Sequence, residues 1–93
     1  MPTIDAFHRD TPGKSGLVFR LQVEQGQQAL AYFELLQDHR EIDHRTVTCG
    51  EGERELALED IFPDLDLSGP ALEVTYTIGT GGRIPVQAAL ATN

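Results

Sequence analysis

Apolar and polar positions alternate from Gly16 onward. Leu17, Phe19, Leu21 and Val23 take one parity, against Val18, Arg20, Gln22 and Glu24 on the other. A period of two predicts a strand with one apolar face. Gly26 interrupts the pattern and predicts a hairpin turn. Residues 27–40 carry two periodicities at once. As a strand, Ala29, Ala31, Phe33 and Leu35 share a face; as a helix, Leu30, Phe33, Leu36 and Gln37 line up. The Ala, Leu, Gln and Glu content favours the helix, whereas the preceding strand and Gly26 favour a hairpin. The strand is taken here, with the helix as the alternative.

Thr46, Val47 and Thr48 are β-prone, and Cys49-Gly50-Glu51-Gly52 has the composition of a turn. Leu56 and Leu58 then alternate with Glu55, Ala57 and Glu59, which predicts a further strand. A short helix over 53–62 competes, because Leu58, Ile61 and Phe62 would share its face. Pro63 ends either element, and 63–70 is a loop. The alternation is cleanest in Leu72, Val74, Tyr76 and Ile78. Gly79-Thr80-Gly81-Gly82 forms a turn, and Ile84, Val86 and Ala88 a returning strand. Pro85 has no N–H to donate, which places that strand at an edge or a bulge.

Three hairpins follow, with turns near 26, 50 and 80. The fold class is mainly β, a small antiparallel sandwich or partly closed sheet. The α+β alternative keeps 27–40 helical. Residues 1–16 hold Pro2, Pro12, Gly13, Lys14, Ser15 and Gly16 and read as a flexible lead-in, leaving 17–93 as a single β domain.

Composition narrows the function. A chain of 93 residues is one domain. Its net charge of −8 argues against nucleic acid and against anionic membranes as partners. No apolar run reaches the ~18–20 residues a membrane span needs, and MPTIDAFHRD lacks the pattern of a signal peptide. A single cysteine, Cys49, excludes an internal disulfide framework, so the expected home is the cytoplasm. The charge is concentrated: residues 51–73 hold eight acids against Arg54 alone. On a strand, Glu51, Glu53, Glu55 and Glu59 would share one face. Such a face keeps a small sheet soluble and blocks edge pairing, or docks a basic partner.

Other motifs carry little chemistry. Pro12-Gly13-Lys14-Ser15 resembles the end of a phosphate loop, but His8 stands where that motif needs its first glycine. His39, His44 and Cys49 are spaced five apart, near Asp38, Glu41 and Asp43. On a strand that spacing alternates faces, so the three cannot converge on one metal ion. Cys49 as a nucleophile, with His44 or His39 as base, would need a lowered thiol pKa. The acidic segment beyond it acts in the opposite direction. The expectation is a non-enzyme without cofactor, metal or catalytic residues.

Residues 60–88 resemble a known family. Asp60, Ile61, Pro63, Gly69, Glu73, Val74, Thr75, Tyr76, Ile78, Gly82, Ile84, Val86 and Ala88 fit the C-terminal hairpin of the β-sandwich substrate-binding domain of the 70-kDa heat-shock chaperones. Upstream, Val23, Gln25, Gly26 and Phe33-Glu34-Leu35 are similar to the preceding hairpin of that domain, with Gly52-Glu53-Arg54 as an alternative match to it. The likeness covers about a third of the chain. Gly79-Thr80-Gly81 departs from the family's turn, and the strands that form the peptide groove have no counterpart here. The resemblance implies a sandwich hairpin and no binding residue.

The sequence therefore points to a protein–protein interaction or adaptor module. Its docking surface would be the acidic face, Glu51, Glu53, Glu55 and Glu59, or a sheet edge. A chaperone-like binder of extended peptides and a self-assembling homo-oligomer are the alternatives.

Overall fold

The computed structural model describes residues 1–80 and 86–91. It is a sandwich of two antiparallel sheets. The three-stranded sheet has the order β1 (Thr3–His8), β2 (Leu17–Val23), β5 (Gly52–Ala57). The four-stranded sheet has the order β4 (Arg40–Cys49), β3 (Ala29–Gln37), β6 (Leu72–Gly79), β7 (Gln87–Leu90). One helical turn, α1 (Leu58–Ile61), follows β5. The mainly β expectation holds, and the sheets pack face to face without closing into a barrel.

The alternating residues build the core. Leu17, Phe19, Leu21 and Val23 of β2 face Ala29, Ala31, Phe33 and Leu35 of β3 and Val74, Tyr76 and Ile78 of β6, all buried. Phe19 stands edge-on to Phe33 at 5.0 Å and to Tyr76 at 5.1 Å between ring centroids. Each such aromatic contact adds about 0.5–1.5 kcal/mol beyond area burial. Residues 27–40 are not a helix: β3 ends at Gln37, and β4 begins at Arg40. Tertiary burial of the Ala29, Ala31, Phe33 and Leu35 face outweighs the helical propensity of the segment.

The connections differ from the expected hairpins. The turns near 26 and 50 do not join paired strands. The first carries the chain from β2 to β3 and the second from β4 to β5, each crossing between sheets. Gly26 and Gly52 supply the positive φ these corners need, 79° and 104°. The two corners are tied together, because the Gly26 N–H donates to Glu51 Oε2 at 2.7 Å. The hairpin that does occur between them turns at Asp38 and His39, φ 53° and 64°, with Gln37 opposite Arg40. Two central residues at positive φ match the twist of a two-residue hairpin. Asp tolerates the left-handed region better than most residues, which is why no glycine marks the spot.

The segment read as a flexible lead-in contains a strand. Residues Thr3–His8 pair along their whole length with β2, burying Ile4. The intervening loop is closed by Arg9 N–H to Gly16 O at 2.7 Å. Both readings of 53–62 capture part of it: β5 runs to Ala57, and Leu58 opens α1, where Leu58, Ile61 and the following Phe62 are buried. The Asp60 carboxylate accepts the Ala57 N–H at 2.9 Å and starts that turn. The last hairpin is β6 with β7, and β7 is an edge strand. Ile84 and Pro85 lie outside the described residues.

Candidate docking surface

The four glutamates do not share one strand face. Glu53 and Glu55 project from β5, Glu51 sits in the bend before it, and Glu59 belongs to α1. Each is engaged within the fold. Arg20 of β2 lies opposite Glu55 and donates to it through Nη2 at 3.0 Å, and Arg9 donates from the other side at 3.1 Å. Arg20 also pairs with Glu53 at 3.3 Å, and Gln22 Nε2 reaches Glu53 at 3.4 Å. Both guanidinium groups lie about 5 Å from the Phe7 ring centroid. The hydrogen bonds from Arg20 first, and then from Arg9, hold the Glu55 carboxyl below its ordinary value. Glu59 accepts from Ser15 N and Oγ at 2.7 and 2.9 Å, which fastens the 9–16 loop to α1. Those Ser15 donors belong to the segment that resembled a phosphate loop.

The histidines and the cysteine are spread out. His39 is at the hairpin tip, His44 lies opposite Glu34 on the outer side, and Cys49 lies opposite the buried Ala29. His44 Nδ1 is 3.6 Å from Glu41. Among the described residues no group of three metal-binding side chains comes together. Burial pushes the Cys49 thiol up, with only partial opposition from Arg54. A thiol so placed is a poor nucleophile.

A second surface emerges on the outer face of the four-stranded sheet. Inward Ala29, Ala31, Phe33 and Leu35 force Leu30, Tyr32, Glu34 and Leu36 outward. The register sets Tyr32 between Thr46 and Thr77, Leu30 between Thr48 and Gly79, and Glu34 between His44 and Thr75. Leu30 and Tyr32 remain 38% and 42% exposed. Two shallow clefts flank Tyr32. One, of about 300 Å³, is lined by Gln28, Leu30, Thr48 and Gly79. The other, of about 290 Å³, is lined by Glu34, Glu41, His44, Arg45 and Thr46. Beside them runs β4, an edge strand of this sheet among the described residues. A bulge opposite Leu35 and Leu36, together with charges at Arg40, Glu41, Asp43 and Arg45, guards its first half. Thr46, Val47 and Thr48 leave the second half uncharged.

The signal for this face lies in the sequence itself. Leu30, Tyr32 and Leu36 leave the outward parity of 29–36 apolar except at Glu34, a pattern that a strand with one solvated polar face would not show.

No family model, curated protein or solved structure matches the chain. Among the described residues no helix is long and apolar enough to cross a membrane.

Proposed function

We propose that this is a non-catalytic protein-binding module that docks its partner on the outer face of the four-stranded sheet and the adjoining β4 edge. The observation that carries the reading is the exposed Leu30–Tyr32 pair flanked by threonines. Apolar groups there stay open to solvent beside a strand that is at the sheet edge among the described residues, and both are recurring elements of peptide recognition. The acidic residues Glu51, Glu53, Glu55 and Glu59 act chiefly inside the fold in this reading, because each already has a partner.

The chaperone-like alternative is favoured by the same apolar cleft, which would take extended apolar peptides. A tagged pull-down read at low and moderate salt separates the cases. One stoichiometric partner, lost on Tyr32→Ser and retained by the Glu53→Gln/Glu55→Gln double variant, supports the docking face. Many unfolded chains held through high salt favour chaperone-like capture. Loss with the glutamate variant alone returns the docking role to the acidic residues.

A further inference from the structure

The two clefts beside Tyr32 differ in chemistry, and that difference specifies a partner. We propose that the outer face of the four-stranded sheet takes an extended basic segment carrying an apolar anchor. This rests on the docking reading above and goes further by naming the partner's chemistry. Among the described residues, the cleft at Leu30, Thr48 and Gly79 is lined by no carboxylate and no cationic side chain. An apolar side chain entering it leaves no charge desolvated. The cleft on the other side of Tyr32 holds the carboxylates of Glu34 and Glu41.

Among the described residues, the two basic side chains that line this cleft, His44 and Arg45, are both held by acids. Arg45 is bonded to Asp43, which lies opposite the inward-facing Leu35. Arg40 stands at the hairpin end opposite Gln37, and His44, opposite Glu34 in the register, has its Nδ1 3.6 Å from Glu41. Glu73, on the neighbouring β6 opposite Leu36, adds a further acid to the same end of the face. The contrast with Glu53 and Glu55 is direct, since those two are already bound by Arg9 and Arg20. The chain's net charge of −8 adds long-range attraction for a basic segment.

Geometry fixes the spacing of that segment. Leu30, Tyr32 and Glu34 recur every second residue of β3, roughly 6.7 Å apart. An extended peptide lying along the strand has the same period. An apolar residue at one position and a lysine or arginine two or four residues on would meet the two clefts together.

The test is a ¹⁵N NMR titration of the whole chain with three peptides. They are acetyl-Ser-Leu-Ser-Lys-Ser-Lys-Ser-amide and its counterparts with glutamate or glutamine in place of lysine. The basic peptide is expected to shift amides within 30–34 and 41–48. Its affinity should fall as salt rises from about 0.05 to about 0.5 M, where the screening length shrinks to a few ångströms. The Glu34→Gln/Glu41→Gln variant should bind it about three- to ten-fold more weakly. Equal shifts of the same amides by all three peptides overturn the basic partner while leaving the docking face standing. Shifts centred on residues 51–59, or none from any peptide, overturn both. Amides of the face that move with protein concentration alone assign it to a second copy of the chain and overturn the proposal.

Discussion

The outer faces of the two sheets are built from the same kind of alternating strand and treat their polar groups in opposite ways. On the three-stranded sheet the rows run Thr3–Gln22–Glu53 and Asp5–Arg20–Glu55, with Phe7–Val18–Ala57 below. Acids meet bases across strands, and Arg9 closes the network from the loop. On the four-stranded sheet the rows run Thr48–Leu30–Gly79, Thr46–Tyr32–Thr77 and His44–Glu34–Thr75. Uncharged hydroxyls there border an exposed leucine and tyrosine. Charge density along a chain is thus a poor guide to the charge a partner can reach. Cross-strand neighbours decide how much is spent internally.

The largest effect comes from removing what the two sheets share. Phe19 is fully buried against Phe33 and Tyr76. Phe19→Ala is expected to cost about 3–5 kcal/mol and lower the Tm by more than about 12 °C, read by thermal circular dichroism. A loss as small as that of a surface variant would mean the sheets do not pack through this ring.

Next in size is Arg20→Ala, which breaks the polar face of the three-stranded sheet. It removes both ion pairs and the stacking on Phe7. The pairs are exposed, so the Tm should fall by no more than about 5 °C. Partner binding should be unchanged, because the opposite face is untouched.

The pH dependence of that network follows from Glu55. Its folded pKa lies below the ordinary value of 4.5 because Arg20 and Arg9 bond the carboxylate. A depressed folded pKa contributes stability above the unfolded value and loses it as pH falls through the folded one. The Tm difference between wild type and Glu55→Gln should therefore be constant above pH 4.5 and shrink in more acid solution. A difference that grows on acidification contradicts the assigned hydrogen bonds.

The smallest expected stability change is on the other face. Tyr32→Thr keeps a β-forming residue between two threonines and should alter stability by no more than about 0.5 kcal/mol. Partner binding should nonetheless be lost. Equal binding by wild type and variant would remove the distinction between the two faces.

Much of the strand content was legible in the sequence. Residues 17–23 and 72–78 alternate so regularly that burial of one face is the only economical outcome, and both are strands with those residues inside. The first strand was not legible, because the turn formers at 12–16 masked a short run with only Ile4 fully buried. The glutamates at 51, 53, 55 and 59 could be counted, but their engagement depends on Arg9, Ser15, Arg20 and Gly26, all at least 25 residues away along the chain.

The sequence by itself determined which residues of β2, β3 and β6 face inward, because a two-residue period is a local property of extended backbone. Only the tertiary structure decided which strands are neighbours. Gly26 and Gly52 look like hairpin glycines, yet both turn the chain from one sheet to the other, while the hairpin between them turns at Asp38 and His39. A turn's composition fixes its backbone angles and not the sheet its flanks join. That choice falls to the burial of Phe19 against Phe33 and Tyr76, which rewards residues distant in sequence for packing together. The same choice left Leu30 and Tyr32 on an outer face that no strand among the described residues covers.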